Sequence, residues 1–87
     1  VLMSQTVAII KSDCCERVYC AFGSRRAGFG VRIIWKYPQK KTEIAETPCI
    51  FPTREKALRW MKQLADAGIH PLHLLDVTRD HFYQEFQ

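Results

Sequence analysis

One stretch constrains the fold more than any other: TREKALRWMKQLADAG, from Thr53 to Gly68, predicts an amphipathic α-helix. Thr53 can accept a hydrogen bond as the N-cap residue, and Gly68 suits the left-handed C-cap conformation. At about 100° per residue, the apolar side chains fall within an arc of about 160°. They are Ala57, Leu58, Trp60, Met61, Leu64 and Ala65. A helix with one apolar face needs a surface to cover, and a β-sheet of the same chain is the expected surface.

The residues before this helix predict short strands that pair antiparallel, because they follow one another with short connections. The predicted strands cover residues 6–11, 17–22, 31–37 and 41–47. After the helix, residues 72–77 predict a fifth strand, and Thr78 or Asp80 is expected to cap a short C-terminal helix. The predicted fold is one α+β domain over residues 1–87. Its antiparallel sheet of four to five strands, in the order β-β-β-β-α-β-α, packs one face against the long helix.

Alternation of side chains assigns residues to the two faces of this sheet. The face under the helix is expected to carry Val18, Cys20, Phe22, Val31, Ile33 and Trp35. The open face is expected to carry Arg17, Tyr19, Arg32, Ile34 and Lys36. Basic and aromatic side chains interleaved on a sheet are one means by which proteins stack bases and follow a phosphate backbone. An ordinary solvated face would carry similar residues.

Positive charge is concentrated in the first half of the chain. Residues 1–41 carry eight Lys or Arg and two acids, a net charge of +6, whereas residues 42–87 carry five Lys or Arg and seven acids, a net charge of −2. Arg25 and Arg26 lie in the glycine-rich segment 23–30, where a flexible backbone can bring guanidinium and N–H groups to a phosphate. The segment lacks the GK[ST] sequence of a Walker-type loop. It is equally compatible with a mobile hairpin loop of solvated arginines.

These features favour a small non-enzymatic binding module whose target is nucleic acid. The residues expected to contact the target are Arg17, Tyr19, Arg25, Arg26, Arg32 and Lys36. A second hypothesis is a protein–protein inhibitor or adaptor, of the type found on phages and mobile elements, that docks the same surface on an acidic partner.

A third hypothesis is a small nuclease-like enzyme that uses the histidines of the C-terminal third. His70, His73 and His81, with Asp76, offer acid–base or metal chemistry. No nucleophile motif accompanies them, and surface or capping histidines are the simpler interpretation. We therefore expect no enzymatic activity.

The four cysteines form a poor metal-binding pattern. Cys14 and Cys15 are adjacent, and Cys20 and Cys49 follow at unequal distances. Adjacent cysteines rarely serve one tetrahedral site, so we expect no metal, no cofactor and free thiols. The first ten residues lack the basic region and apolar core of a signal peptide, and no apolar run is long enough to span a membrane. These features predict a cytoplasmic protein without a membrane partner.

The C-terminal residues are rich in aromatic side chains for so short a segment. Phe82, Tyr83 and Phe86 are expected either to dock on the domain or to contact a partner. A small sheet with exposed edges also allows a homodimer.

Overall fold

Four antiparallel strands precede two helices in the computed structural model, which describes residues 3–11 and 14–85. The strands are β1 (Met3–Lys11), β2 (Glu16–Ser24), β3 (Gly28–Lys36) and β4 (Glu43–Glu46). The helices are α1 (Arg54–Ala67) and α2 (Leu74–Glu85), joined through a 3₁₀ turn at Pro71–His73. The strands lie in the order β1-β2-β3-β4 in one sheet, and α1 contacts β1, β2 and β3. The predicted α+β class, with an antiparallel sheet under a long helix and a shorter C-terminal helix, is confirmed.

Helix α1 begins and ends where its capping residues predict. Thr53 Oγ1 accepts a hydrogen bond of 3.2 Å from the Lys56 N–H, and Gly68 adopts the left-handed conformation with φ of 65°. The buried side chains of the helix are Ala57, Met61, Leu64 and Ala65. These residues recur at helical spacing, so one stripe of α1 is buried in the core against the sheet.

The core under α1 uses the side of β2 opposite to the predicted one. Tyr19 and Ala21 are buried, and they pair across the sheet with Ile33 and Val31 of β3. The Tyr19 hydroxyl donates a hydrogen bond of 3.0 Å to the carbonyl oxygen of Ile69, just beyond the end of α1. Tyr19 is therefore a core residue and does not lie on the open face.

Because successive side chains of a strand point to opposite faces, the position of Tyr19 under α1 reverses the predicted faces of the other β2 residues. Arg17 shares the helix-facing side with Tyr19, so its prediction on the open face is also wrong. Val18, Cys20 and Phe22 lie on the open face instead of under the helix. The open face is thus the side of the sheet away from α1.

Residues 72–77 form helix rather than the predicted fifth strand. His70 caps the 3₁₀ turn, because its Nδ1 accepts a hydrogen bond of 3.0 Å from the Leu72 N–H. Leu74 and Thr78 of α2 are then buried at a spacing of four residues. Thr78 is not a capping residue: it lies inside α2, where its Oγ1 accepts a hydrogen bond of 3.0 Å from Trp60 Nε1. Asp80 likewise lies inside α2.

Candidate functional site

The turn between β2 and β3 lies beside the first turn of α1. Phe29 and Phe51 form an antiparallel bridge in which each N–H donates to the other residue's carbonyl oxygen at 2.9 Å. Because α1 begins three residues after Phe51, this bridge brings the start of the helix to the turn. A groove of about 620 Å³ separates the two. It is lined by Ser24, Arg25, Arg26, Phe29, Pro52, Thr53, Arg54 and Glu55.

Two glycines and one serine fix the turn that carries Arg25 and Arg26. Gly23 and Gly28 have φ of 134° and 88°, a region that other residues rarely adopt. A Cβ atom on Gly23 would lie 2.2 Å from the Gly28 carbonyl oxygen, so the two strands approach too closely for a side chain. The Ala27 N–H also donates a hydrogen bond of 3.1 Å to Ser24 Oγ. The glycine-rich segment is thus a tight turn at residues 25–27 with paired strands on both sides.

A second groove of about 690 Å³ runs between α1 and α2. It is lined by Ile50, Phe51, Pro52, Lys56, Arg59, Trp60, Gln63, His81 and Phe82. Pro52 lines both grooves, so they adjoin around the N-terminal half of α1. Inside the second groove the rings of Trp60 and His81 are stacked, with centroids 4.1 Å apart.

Together these grooves form a surface rich in positive charge, which we call the turn–helix surface. Its exposed charged side chains are Arg25, Arg26, Arg54, Lys56, Arg59 and Glu55. Five of the six are basic. The N-terminus of a helix adds a partial positive charge at the same place. An anion on this surface would meet cations from two segments that lie almost 30 residues apart in the sequence.

Of the three basic residues predicted on the open face, Arg32 and Lys36 do lie there, and each has an acidic residue as a cross-strand neighbour. Arg32 Nε donates a hydrogen bond of 2.8 Å to Glu46 Oε2, and its guanidinium lies 4.9 Å from the centre of the Phe22 ring. Lys36 is exposed and lies opposite Glu16 in the strand register. The charges of the open face are therefore nearly balanced, unlike those of the turn–helix surface.

The other two predicted contact residues lie on the helix side of the sheet. The Arg17 guanidinium stacks over the Trp35 ring at 4.3 Å. Tyr19 has no exposed surface on which a base could stack. Of the six residues predicted from the sequence, the structure brings together only Arg25 and Arg26.

Burial also raises the pKa of two groups, Cys20 on the open face and Tyr19 in the core. It raises the pKa of the Cys20 thiol above its ordinary value of 9.0 and that of the Tyr19 phenol above 10.0. Both groups are thus protonated at neutral pH, and Cys20 is not a ready nucleophile or metal ligand. The four cysteines all lie within the described residues and form no disulfide.

The histidines do not gather at one site. His70 Nε2 lies 2.6 Å from Glu43 Oε2 while its Nδ1 accepts the Leu72 N–H, so both ring nitrogens are used inside the protein. His73 lies near His70, with ring centroids 6.3 Å apart, whereas His81 stacks on Trp60 in the second groove. Across residues 3–11 and 14–85, no group of three His, Cys, Asp or Glu side chains is placed to hold a metal ion.

The C-terminal aromatic residues divide between core and solvent. Phe82 packs against Phe51 with ring centroids 5.0 Å apart, so it docks on the domain. Tyr83 is 67% exposed. Phe86 lies outside the described residues.

Three residues of the turn–helix surface are not predicted from the sequence: Arg54, Lys56 and Arg59. They lie on the exposed side of the helix predicted from Thr53 to Gly68, and the sequence gives no sign that the turn at residues 25–27 lies beside them.

Comparisons of this chain with protein-family models, with curated proteins and with solved structures found no match. Within the part of the chain that is described, no helix is long and apolar enough to cross a membrane.

Proposed function

We propose that this protein binds nucleic acid through the turn–helix surface, mainly by contacts with phosphates. One observation carries the proposal: among the described residues that line these two adjoining grooves, five exposed side chains are basic and one, Glu55, is acidic. Guanidinium groups bind phosphate oxygens in a bidentate manner, and a helix N-terminus favours anions in the same position.

The geometry favours recognition of the backbone over recognition of bases. The aromatic rings at these grooves are largely occupied by the protein itself: Phe29 and Phe51 are buried, and His81 covers one face of Trp60. Phosphate contacts carry no sequence information of their own. The proposed binding is therefore nearly independent of base sequence, and its affinity depends strongly on salt.

This proposal moves the interface away from the open face of the sheet. The open face carries nearly equal numbers of basic and acidic side chains, with Arg32 beside Glu46 and Lys36 opposite Glu16, so its net attraction for an external phosphate is weak. Arg25 and Arg26 keep the role expected from the sequence, and Arg54, Lys56 and Arg59 join them. We assign no catalytic role to His70, because both of its ring nitrogens have partners inside the protein.

The test is a fluorescence anisotropy titration of a labelled oligonucleotide, repeated at several salt concentrations. If three of the five basic side chains contact phosphates, log K should fall against log salt with a slope of about −2 for single strands and about −3 for duplexes. Replacing both arginines of the turn, Arg25→Ala with Arg26→Ala, should reduce the magnitude of that slope by roughly one to two units.

A matched control is available in the loop between β3 and β4. Lys40 and Lys41 are exposed, so Lys40→Ala with Lys41→Ala removes the same net charge at a different place. This variant should keep the slope of the original protein to within about half a unit. If the two double variants reduced the salt slope equally, net charge and not the position of the arginines would account for binding. Absence of binding to RNA and DNA, single- or double-stranded, at low salt would refute the proposal and leave an acidic protein as the partner to seek.

A further inference from the structure

The open face of the sheet carries an apolar row that crosses all four strands. Ile9, Val18, Ile34 and Ile44 are successive cross-strand partners in the register. The end residues Ile9 and Ile44 are 56% and 61% exposed, and the two central residues are half-buried. Isoleucine side chains this exposed in one line are unusual on a sheet face that water alone covers.

Charged residues of both signs flank this row. On one side Lys11, Glu16 and Lys36 are neighbours across β1, β2 and β3. On the other side Arg32 pairs with Glu46. An apolar centre with a charged rim is the usual organisation of a protein–protein interface.

We propose that a second copy of this chain covers the open face, sheet against sheet, about a two-fold axis that runs parallel to the strands between β2 and β3. Such an axis places β1 over β4 of the partner subunit and β2 over β3 of the partner subunit. Sheets packed in this way lie about 10 Å apart with their strands nearly aligned. Helices α1 and α2 remain outside, so the turn–helix surface of each copy stays accessible.

The residue order on the open face matches this symmetry. The axis brings Ile9 over Ile44 of the partner subunit and Val18 over Ile34 of the partner subunit, so the two apolar rows coincide. It also brings Glu16 over Lys36 of the partner subunit. The two-fold axis also places Lys36 over Glu16 of the partner subunit. The two glutamates and two lysines then alternate in sign around a square.

A two-fold axis along the apolar row would not have this complementarity. It places β3 over β3 of the partner subunit and exchanges the two flanking rows. Lys36 would then face Arg32 of the partner subunit, and like charges in contact oppose association. The charge pattern therefore selects the axis parallel to the strands.

The available area is sufficient for a weak dimer. Four strands spaced about 4.8 Å apart, three of them about 30 Å long, offer about 500 Å² per subunit. The total of about 1,000 Å² lies at the lower limit for specific interfaces, so we expect a dissociation constant in the micromolar range.

Sedimentation equilibrium of the 87-residue chain tests the proposal, together with one variant and its control. Ile44→Lys should weaken the dimer at least about a hundredfold, because each interface contains two copies of the residue. Leu72→Lys makes the same type of change at a residue that is 77% exposed on the 3₁₀ turn, and it should leave the dimer intact.

Charge reversal then tests the orientation of the two copies. Glu16→Lys alone should weaken the dimer by about tenfold, and adding Lys36→Glu should restore it to within about threefold. Because the two residues are also neighbours within one chain, the melting temperature of the dilute monomer is measured for each variant, and the dimer losses should exceed any change in stability.

A chain that stays monomeric up to about 1 mM, above the whole micromolar range expected for the dissociation constant, would overturn the proposal. A dimer that tolerates Ile44→Lys would also overturn it, because the second copy would then bind elsewhere. Failure of the charge reversal to restore association would exclude the axis parallel to the strands.

Discussion

Replacing Tyr19 by Phe tests whether this side chain belongs to the core. The Tyr19 hydroxyl donates a 3.0 Å hydrogen bond to the Ile69 carbonyl oxygen, and the residue has no exposed surface. The substitution keeps the ring and removes the donor, so the carbonyl oxygen loses this partner at the end of α1. It should therefore affect folding without affecting any external ligand.

The expected loss follows from the cost of that unmade hydrogen bond. This bond is partly buried, so removing its donor should lower the free energy of unfolding by about 1 kcal/mol, and by up to about 2 kcal/mol if water cannot reach the carbonyl oxygen. A domain of 87 residues has about 4–13 kcal/mol in total. The melting temperature should fall by about 4–8 °C for each kcal/mol. Tyr19→Ala, which also removes the ring, should cost about 3–5 kcal/mol, a loss that would unfold the protein if its stability lies at the lower end of the range of about 4–13 kcal/mol.

Urea denaturation followed by tryptophan fluorescence measures the loss. Tyr37→Phe is the matched control, because the Tyr37 hydroxyl lies 3.4 Å from Glu43 at an exposed site and should contribute less than about 0.5 kcal/mol. Equal stabilities of the Tyr19→Phe variant and the original protein would refute the placement of Tyr19 under α1. Weaker nucleic-acid binding by a folded Tyr19→Phe protein would contradict the core role as well.

Core packing at Met61, the turn glycine Gly23 and the buried groups Cys20 and Tyr19 give three further predictions. Met61→Ala should lower the free energy of unfolding by about 2–4 kcal/mol, whereas exposed Lys62→Ala should change it by less than about 0.5 kcal/mol in the same denaturation assay. Gly23→Ala should destabilise the protein measurably in thermal melts, since its Cβ would lie 2.2 Å from a backbone oxygen and φ is 134°. Burial raises the pKa of Cys20 above 9.0 and of Tyr19 above 10.0, so the folded state retains these protons more tightly than the unfolded state. Stability should be constant with respect to these groups below about pH 9 and fall above it, and Cys20→Ala should reduce that fall.

The long helix could be predicted closely because three independent signals agree. The cap residues Thr53 and Gly68 and the apolar period all indicate the same boundaries, and the structure has α1 at Arg54–Ala67. Local chemistry determines these features, so no knowledge of the rest of the fold is required.

The faces of β2 could not be predicted in the same way. Its sequence places apolar residues on both sides: Tyr19 and Ala21 on one, Val18, Cys20 and Phe22 on the other. Alternation therefore does not identify the buried side. The outcome depends on the packing of α1 and on the distant carbonyl group of Ile69.

Residues 72–77 predict a strand from sequence alone because a short apolar run is ambiguous between strand and helix. Leu74, Thr78 and Phe82 recur at helical spacing, but the polar side chain of Thr78 interrupts the apolar pattern that would indicate a helix. The candidate site shows the same limit. The glycine-rich sequence around Arg25 predicts its role, whereas Arg54 lies near the turn only because Phe29 and Phe51 pair across the fold.

The central claim is that nucleic acid binds at the turn–helix surface and not on the open face. An NMR titration of the ¹⁵N-labelled protein with an oligonucleotide tests it most directly. The claim predicts that backbone amide shifts concentrate at Arg25, Arg26 and Arg54 and fade as salt is added. Shifts concentrated instead at Arg32 and Lys36 would contradict it.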